Sequence, residues 1–461
     1  MAAKHYDAIV IGSGQGGNPL AGALAGAGHK TALIERKHIG GTCVNEGCTP
    51  TKTMVASARV AYLARRASEY GVEIGQPRVL MQIVRQRKRD IVEQFRSASQ
   101  KHIESTENLE LVWGEASFVD QKTIEVKLRD GGARVLSAEQ VFINTGTHAT
   151  VPRIEGLDDV EFLDNASIME LDCVPPHLLI LGGGYVAVEF AQMFRRFGSQ
   201  VSIIQCGPQM LSREDPDIAQ EIQKIFAEDG IEVHLNSKAL RIEKTGEGLA
   251  LTVAQGERQQ TLYGSHLLVA TGRTPNTSDL NPSAASVQVD EHGYIRVNER
   301  LETTAPGIFA LGDVKGGPAF THISYDDFRI LRSNLLQGKN ASTANRMVPY
   351  TVFMDPELGR VGLSESEAKR MGKKPHVARM PMAQVARALE TAETRGLMKV
   401  VVDEDRETIL GAAILGIQGG EIVSLLQVAM MGNVTVSRLR DATFSHPTVA
   451  ESLNNLFNKM D

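Results

Sequence analysis

The chain has 461 residues, of which 42% are hydrophobic and 23% are charged, and this length suggests about three domains with sizeable cores. The formal net charge of −6 gives no reason to expect nucleic acid or an acidic membrane surface as a partner, and no apolar run reaches the ~18 residues of a membrane span. The chain enters a predicted strand within a few residues of Met1, which leaves no room for a secretory signal, so we expect a cytoplasmic protein.

The first predicted element is a buried strand at residues 6–11, followed by the sequence GSGQGG, a helix rich in small residues and a second strand that ends at an acid. This order is typical of a dinucleotide-binding fold. Gly12 and Gly14 would let the backbone turn and approach a pyrophosphate, and Gly17 completes the motif. Glu35 is the acid, and it can accept the hydroxyls of a ribose.

Cys43 and Cys48 come next, in the stretch GGTCVNEGCTPTK. In a regular helix, Cα atoms five positions apart are separated by roughly 8–9 Å, beyond the about 7 Å that a disulfide tolerates. The pattern therefore predicts irregular backbone at Gly47 and Pro50 and a helix at residues 51–64, with Cys48 near a helix end that favours the thiolate. Two packing thiols, or a structural disulfide, would also fit the spacing. In a reducing compartment a close pair is more often catalytic.

A long amphipathic helix is predicted at residues 79–102, and after it a meander that passes Gly114 and ends in a strand running into Thr145 and Gly146. The helix carries a basic cluster, which we interpret as a solvated face rather than a binding patch. Its members are Arg85, Arg87, Lys88 and Arg89.

A second dinucleotide fingerprint begins at Gly182 and continues through Gly184 and Ala187. Two such folds in one chain imply two dinucleotides and electron transfer between them. Gln205 stands where the first unit has its acid, and a neutral side chain neither favours a free ribose strongly nor repels a 2′-phosphate. Arg213 could meet a phosphate, although a surface salt bridge with a neighbouring carboxylate is the simpler interpretation. The choice between NADH and NADPH stays open.

A predicted strand at residues 265–270 leads into Gly272 and Arg273. Further on, a buried strand is predicted to end at Asp313, whose carboxylate would emerge at the carboxyl edge of a sheet, where ligands of open α/β sheets bind. An aspartate that serves only a turn would also fit this position.

From residue 348 the pattern changes to antiparallel strands with helices, which predicts a further domain. Near its end, His446 is followed by Glu451. Glu451 can orient the imidazole, so the two side chains are candidates for an acid–base dyad. The remaining cysteines, Cys173 and Cys206, are interpreted as isolated packing thiols.

Together these residues resemble those of the FAD-dependent pyridine nucleotide–disulfide oxidoreductases, which include dihydrolipoamide dehydrogenase, glutathione reductase and mercuric reductase. The match runs from Gly12 to Glu451, and its most specific element is G-G-T-C-x-N-x-G-C-x-P-T-K. The resemblance implies an α/β fold with two Rossmann-like domains, for FAD and NAD(P), and a C-terminal α+β dimerisation domain. The predicted segments are 1–150 (FAD-binding, first part), 151–271 (NAD(P)-binding), 272–345 (FAD-binding, second part and central region) and 346–461 (dimerisation).

The resemblance also implies catalytic roles. Cys48 would lie beside the flavin and form a charge-transfer complex with it, and Cys43 would exchange with the substrate. His446, backed by Glu451, would act as acid–base catalyst at the cysteine pair of the partner subunit, so a homodimer is expected. Hydride would pass from NAD(P)H to FAD, the reduced flavin would open the Cys43–Cys48 disulfide, and the dithiol would reduce the substrate.

For the cofactors, the resemblance implies that Asp313 meets the ribityl and pyrophosphate part of FAD, and that Lys52 lies near the flavin N5 and pairs with Glu189. No resident metal site is predicted. The predicted cofactor-binding residues are Gly12, Gly14, Gly17, Glu35, Thr42, Lys52, Gly114, Thr145, Gly146, Asp313, Gly182, Gly184, Ala187, Gln205, Gly272 and Arg273.

The resemblance implies that the substrate is either a metal ion or a disulfide or dithiol. The sequences REDP at 213–216, RAL at 387–389 and TRG at 394–396 resemble the mercuric reductases, but those enzymes carry a C-terminal cysteine pair, and the last cysteine here is Cys206. The intact His446 resembles dihydrolipoamide dehydrogenase and the reactive-chlorine-resistance flavoproteins. Two further hypotheses are a flavin-binding interaction protein without turnover, and transhydrogenation or quinone reduction directly from the flavin.

Overall fold

The computed structural model describes residues 3–246 and 248–460, and it has the predicted mixed α/β character. Its contacts group the chain into two compact units. The first unit comprises Met1–Thr53, Arg85–Thr150 and Gly272–Arg346, and the second comprises Met54–Val84, Val151–Thr271 and Met347–Asp461. The predicted division into four segments is finer than this one and stays a prediction.

The strands, numbered in chain order, have the following bounds: β1 (Lys4–Ile11), β2 (Thr31–Glu35), β3 (Leu109–Phe118), β4 (Thr123–Leu128), β5 (Ala133–Ile143), β6 (Thr147–Ala149), β7 (His177–Leu181), β8 (Gln200–Ile204), β9 (Glu232–His234), β10 (Lys238–Thr245), β11 (Gly248–Gln255), β12 (Arg258–Gly264), β13 (His266–Val269), β14 (Arg273–Pro275), β15 (Ile308–Ala310), β16 (Tyr350–Val352), β17 (Glu357–Gly362), β18 (Pro375–Pro381), β19 (Leu397–Asp403) and β20 (Thr408–Gly416).

The α-helices are α1 (Gly17–Gly26), α2 (Gly41–Asn45), α3 (Cys48–Arg65), α4 (Met81–Ser105), α5 (Tyr185–Phe197), α6 (Pro216–Glu228), α7 (Thr321–Gln337), α8 (Glu365–Arg370), α9 (Ala386–Glu390), α10 (Gly419–Met431), α11 (Val436–Arg440) and α12 (Ser452–Phe457). Short 3₁₀ helices cover Ala67–Tyr70, Leu157–Asp159, Ser167–Glu170, Pro282–Ala285, Gly312–Lys315, Met382–Gln384 and Asn458–Met460. Within the described ranges, none of these helices has the length and apolarity needed to cross a membrane.

The first unit is built on a parallel sheet in which β1 lies between β2 and β5, β3 pairs with β2, and β15 pairs with β5. The antiparallel strand β4 joins the second half of β3 to the first half of β5. Ile11 is in register with Ile34 and Ile143, and Ile143 with Ala310. The carboxyl ends of these four strands therefore meet at one edge, which is where a doubly wound sheet binds its ligand.

The second unit contains three sheets. The parallel sheet β13-β7-β8-β9 carries the second fingerprint after β7, and the antiparallel sheet β10-β11-β12 follows it in the chain. The third sheet is antiparallel, with the strand order β16-β17-β20-β19-β18, and α10 packs against its strands β17 and β20. The prediction of antiparallel strands with helices from residue 348 onward is confirmed by this sheet.

Three expectations about local structure are wrong. The helix after the cysteine segment begins at Cys48 rather than at residue 51, since Pro50 sits in its first turn, where proline costs no hydrogen bond. The strand before Asp313 ends at Ala310, and Asp313 lies in the 3₁₀ helix that follows. Lys88 is only 4% exposed, so the basic cluster is not solvated throughout.

The two remaining cysteines also differ from expectation. Cys173 and Cys206 are exposed rather than packed. Cys206 is the second residue after β8, where the buried strand is followed by a surface loop.

Candidate active site

The glycine loop after β1 is packed so closely that side chains would not fit. A Cβ atom on Gly17 would lie 2.1 Å from the carbonyl oxygen of Gly12, and one on Gly12 would lie 2.4 Å from the carbonyl oxygen of Asn144. The amide of Gly17 donates to Asn144 Oδ1 at 2.9 Å. The loop thus brings the start of α1 to the sheet edge, where a helix N-terminus can bind a pyrophosphate.

Glu35, the predicted ribose acid, is buried at the end of β2. Its Oε2 accepts hydrogen bonds from the amide (3.0 Å) and the hydroxyl (2.7 Å) of Ser13, and its Oε1 accepts one from the amide of Lys37 at 2.8 Å. A carboxylate has about four lone-pair sites, so one acceptor site remains on Oε1. That site suits a ribose hydroxyl.

The cysteine segment is docked on the glycine loop. Gln15 Nε2 donates to the carbonyl of Gly40 at 3.2 Å, and the amide of Gly40 donates to the carbonyl of Ser13 at 3.2 Å. A Cβ on Gly41 would lie 2.7 Å from the Cα of Gly14. The two glycine motifs of the first unit therefore touch backbone to backbone, and the cysteines lie near the start of α1.

Cys43 lies in α2 and Cys48 begins α3, with the break between these helices at Glu46 and Gly47. A Cβ on Gly47 would lie 2.8 Å from the carbonyl oxygen of Thr42, so the start of α3 packs against the backbone of α2. This break brings the two thiols into hydrogen-bond contact. The predicted departure from a regular helix is confirmed, and it lies at Gly47 without the help of Pro50.

The surroundings of Cys43 disfavour its thiolate form. Its hydrogen bond with Cys48 and its burial raise the pKa of Cys43, while a hydrogen bond from Thr321 and the charge of Lys52 oppose this. Cys43 and Cys48 are not joined by a disulfide in this structure, and Cys48 is exposed.

Thr321, the first residue of α7, is a site residue that sequence reasoning missed. Its Oγ1 lies 3.3 Å from the Sγ of Cys48, and it also hydrogen-bonds Cys43. No local pattern marks this threonine, because 273 positions separate it from Cys48. Only the packing of α7 in the first unit brings it to the thiols.

Replacing Thr321 by valine should make the reduced cysteine pair harder to ionise, since valine keeps the shape but cannot donate a hydrogen bond. A hydrogen bond to a charged group contributes about 1.5–3 kcal/mol, so the first proton should leave the pair at a pH about one to two units higher. Alkylation rates of the reduced enzyme as a function of pH measure this. Thr321→Ser keeps the hydroxyl and should behave like the parent, and coincident profiles for parent and valine variant would contradict the assignment.

Asp313 and Arg273 meet at the same sheet edge. Burial raises the pKa of Asp313, and the charges of Arg273 and Lys315 oppose that rise. Arg273 donates to Thr147 Oγ1 at 2.7 Å, and this hydroxyl donates to Asp313 Oδ2 at 3.4 Å. The strand pair β6–β14 thus connects the predicted site residues Arg273 and Asp313 through the hydroxyl of Thr147. Thr147 was not among the predicted site residues.

The remaining predicted residues of the first unit have varied surroundings. Thr42 is exposed, and Thr145 Oγ1 donates to the carbonyl of Asn276 at 2.9 Å. Gly146 has open space where a Cβ would point, and Gly272 accepts a backbone hydrogen bond from Thr150.

Gly114 has a structural explanation. A Cβ there would lie 2.5 Å from the carbonyl oxygen of Lys127, so a side chain would disturb the pairing of β3 with β4. Its predicted contact with a cofactor stays a prediction.

The second fingerprint repeats the close packing of the first at its first glycine. A Cβ on Gly182 would lie 2.3 Å from the carbonyl oxygen of Ala270, whereas Gly184, the N-cap of α5, has open space around it. Ala187 is fully buried against the sheet. Gln205 follows β8 and its Nε2 donates to the carbonyl of Gln209 at 3.3 Å. The open space at Gly184 suits the close approach of a dinucleotide.

Arg213 does not form the expected salt bridge with its neighbours. Glu214 accepts hydrogen bonds from Tyr350 and Arg360, and Asp215 accepts one from Lys399. The salt-bridge interpretation is therefore wrong. Arg213 instead lines a cavity of about 430 Å³ in the second unit.

Glu189 is buried in α5, and its Oε1 accepts a hydrogen bond from the amide of Phe353 at 2.8 Å. Lys52 belongs to the first unit and Glu189 to the second. Their pairing stays a prediction.

His446 and Glu451 do come together. The Nδ1 of His446 lies 2.8 and 3.0 Å from the two carboxylate oxygens of Glu451, which directly precedes α12. The imidazole is 69% exposed, so its other nitrogen is accessible. The pair has the geometry of an oriented acid–base catalyst.

The features of the first unit fit FAD. The closely packed glycines present the start of α1, Glu35 keeps one free acceptor site, and the space above Gly146 is open. In the described part of the chain, no group of three or more His, Cys, Asp or Glu side chains could hold a metal ion.

The family model "Pyridine nucleotide-disulphide oxidoreductase" matches residues 6–327, and the model "Pyridine nucleotide-disulphide oxidoreductase, dimerisation domain" matches residues 348–457. The chain is 38% identical over 463 residues to the probable pyridine nucleotide-disulfide oxidoreductase RclA of Escherichia coli (strain K12), covering 98% of each chain. It is 34% identical over 449 residues to a mercuric reductase of Streptomyces lividans, covering 97% of this chain and 94% of that one.

A solved structure agrees with these relatives. The Cu(II) complex of the HOCl-induced flavoprotein disulfide reductase RclA from Escherichia coli has a TM-score of 0.90 and 38% identity, covering 99% of each chain. The fold therefore combines FAD- and NAD(P)-binding parts with a C-terminal dimerisation domain, and the protein is an oxidoreductase. The chain belongs to the pyridine nucleotide–disulphide oxidoreductase family, whose enzymes use FAD and NAD(P)H, and within it is a flavoprotein disulfide oxidoreductase of the RclA and mercuric reductase type.

Proposed function

We propose that the protein oxidises NAD(P)H and delivers the electrons, through FAD and the Cys43–Cys48 pair, to a metal ion or a disulfide. The observation that carries the proposal is the hydrogen-bonded contact of the two thiols across the break between α2 and α3. A pair held in this way can close to a disulfide and open again without unfolding either helix.

In this proposal, Gly12, Gly14, Gly17 and Glu35 hold the adenosine half of FAD, and Asp313 holds its ribityl and pyrophosphate part. FAD, when bound, accepts hydride from the nicotinamide and supplies an electron pair to a disulfide. The dinucleotide NAD(P)H binds at the second fingerprint, where the backbone at Gly184 is open.

The protein's own residues manage the protons. Opening the Cys43–Cys48 disulfide takes up two electrons and two protons and yields two thiols. The raised pKa of Cys43 keeps one proton on its sulfur until a base removes it, and Thr321 and Lys52 stabilise the thiolate that then forms. His446, oriented by Glu451, is the proposed base.

The substrate step then balances in either of two ways. The dithiol gives one electron to each of two Cu(II) ions, which yields two Cu(I) ions, two protons and the Cys43–Cys48 disulfide. Alternatively, it exchanges with a substrate disulfide and releases two substrate thiols.

A metal ion is the favoured acceptor. One similar solved structure is a Cu(II) complex, and one similar protein is a mercuric reductase. Because no cluster among the described residues could hold a resident metal, the metal would enter as substrate. The second candidate, a disulfide such as lipoamide, is favoured by the formed His446–Glu451 pair.

Steady-state oxidation of NADH and of NADPH by the purified flavoprotein, under anaerobic conditions, tests these candidates. The acceptors are Cu(II), Hg(II) with excess thiol, and lipoamide. We expect turnover with a metal ion, whereas rapid and reversible lipoamide turnover would identify a dihydrolipoamide dehydrogenase. Flavin that NAD(P)H cannot reduce would point to a protein without turnover and would overturn the proposal.

We also propose that two chains form a homodimer in the cytoplasm, with His446 of one subunit acting on Cys43 of the other. The matched dimerisation domain supports this arrangement. Light scattering on the holoenzyme should give about twice the chain mass of 50.1 kDa.

A further inference from the structure

Asp327 is a fully buried carboxylate in α7 that the proposed mechanism does not use. Its Oδ2 accepts a hydrogen bond from the amide of Gly312 at 2.9 Å and lies 3.3 Å from Lys315 Nζ. Its Oδ1 accepts one from Arg346 Nη1 at 2.8 Å. A buried charge is tolerated only when it is paired and hydrogen-bonded, and this one holds two cations and one backbone amide.

The backbone amide matters because of its position. Gly312 opens the 3₁₀ helix that carries Asp313, and its φ of +73° is in the left-handed region. A Cβ there would lie 2.7 Å from Asn144 Nδ2 and 2.8 Å from Ser324 Oγ. The Gly312–Lys315 turn therefore packs closely against Asn144 and Ser324. Its first amide, that of Gly312, donates a hydrogen bond to Asp327.

The same salt-bridge network reaches Asp313 itself. Lys315 lies on the turn between the two carboxylates: it pairs with Asp327, and its charge opposes the effect of burial on the pKa of Asp313. Moving Asp327 would thus change both the backbone and the charge around Asp313.

The helix that carries Asp327 also carries Thr321, which contacts Cys48. Helix α7 therefore positions both the turn that carries Asp313, through Asp327, and the hydrogen bond to Cys48, through Thr321. Asp327 lies within two turns of Thr321 on this helix.

We propose that Asp327 is a positioning residue for the flavin: it holds the Gly312–Lys315 turn, and with it Asp313, in the geometry that binds FAD. This inference rests on the proposed contact of Asp313 with FAD. It adds that the position of Asp313 depends on a buried carboxylate in α7.

Asp327→Asn tests the inference, because it keeps the shape and removes the charge. We expect the Kd for FAD to rise about tenfold or more, and amide hydrogen exchange in residues 311–316 to become faster in the FAD-loaded protein. At saturating FAD, the visible circular dichroism of the bound flavin should change, which a loss of stability alone would not cause. Asp326→Asn is the matched control, since Asp326 also faces Arg346, at 3.3 Å, but is 35% exposed.

An unchanged Kd and flavin spectrum in Asp327→Asn would overturn the inference, as would equal effects of Asp326→Asn. If Asp327→Asn does not fold, Asp327→Glu keeps the charge but moves the carboxylate, and the same two outcomes decide. Failure of the proposed function has a different signature: the parent protein would then bind no FAD, or would bind it without being reduced by NAD(P)H.

Discussion

Cys43→Ser should lose NAD(P)H-dependent reduction of Cu(II) and of disulfides, by about 10³-fold or more, while NAD(P)H still reduces the bound flavin. The single thiol of Cys48 cannot form a disulfide within the subunit, so the variant cannot pass two electrons to the acceptor through a cysteine pair. Stopped-flow flavin reduction and steady-state acceptor turnover separate the two half-reactions.

Cys206→Ser is the matched control. Cys206 is an exposed thiol of the second unit with no role in the proposed reaction, so this variant should turn over like the parent. Acceptor reduction that survives in Cys43→Ser would show that electrons leave the flavin directly, as in transhydrogenation or quinone reduction. That result would remove the cysteine pair from the mechanism.

His446→Gln should slow acceptor reduction by the thiols without affecting reduction of the flavin by NAD(P)H. Loss of a general acid–base catalyst costs about 10²–10⁴-fold, and the loss should appear only in the step that uses the thiols. Flavin reduction by NAD(P)H should be unchanged. Equal acceptor turnover in the variant and the parent would show that the exposed His446–Glu451 pair serves another purpose.

Lys399→Met should be strongly destabilising, with a loss of about 3–5 kcal/mol in the free energy of unfolding. The Nζ of Lys399 is buried in β19, within 2.8 to 3.0 Å of Asp215, Asp217 and Glu365. Removing one partner of a buried ion pair leaves the others uncompensated, whereas replacing all partners together can be neutral. Methionine fills the space of the stem but removes the ion-pair partner of Asp215, while Asp217 and Glu365 keep their pairs with Arg379.

Lys369→Met is the control for this substitution. Lys369 also pairs with Glu365, at 2.6 Å, but its side chain is 61% exposed, and such surface pairs contribute about 0–1 kcal/mol. Thermal unfolding of the two holoenzyme variants compares the losses directly. Equal melting temperatures would mean that burial of the ammonium group at position 399 adds no stability.

The pH dependence of Lys399→Met has a definite sign. Burial raises the pKa of Glu365, but hydrogen bonds from Lys369 and Lys399 outweigh it and lower the pKa to about 2. The pKa of Asp215 is lowered as well, against burial, by Ser366 and Lys399. These groups therefore stabilise the fold above their unfolded pKa values of about 4, and the contribution is lost as the pH falls toward 2.

In Lys399→Met the folded-state pKa values of Asp215 and Glu365 should rise, because their shared cation is gone. The gap in stability between variant and parent should then be largest near neutral pH and shrink below pH ~4. A gap that stays constant over this range would assign the loss to packing rather than to charge.

The local sequence determined the elements that the site is built from. Each fingerprint is contiguous, and the strand, the glycines and the helix follow one another with the spacing that a pyrophosphate at a helix N-terminus requires. The C-x4-C spacing, together with the hypothesis that the two cysteines form a disulfide, predicted a broken helix between Cys43 and Cys48, because a regular helix holds them too far apart. The break itself is at Gly47, where only glycine fits against Thr42.

Only the tertiary structure decided which distant side chains complete the site and which form the buried ion pairs that stabilise the fold. Thr321 lies 273 positions from Cys48, Asp327 fixes an amide 15 positions away, and Lys399 reaches Asp215 across 184 positions. Threonine, aspartate and lysine are common surface residues, so nothing in the local pattern distinguishes these from solvated ones. They acquire their roles because α7 and β19 place them beside partners from other elements. A buried polar group without a partner destabilises the fold, so a buried group that has its partners is held in a single geometry.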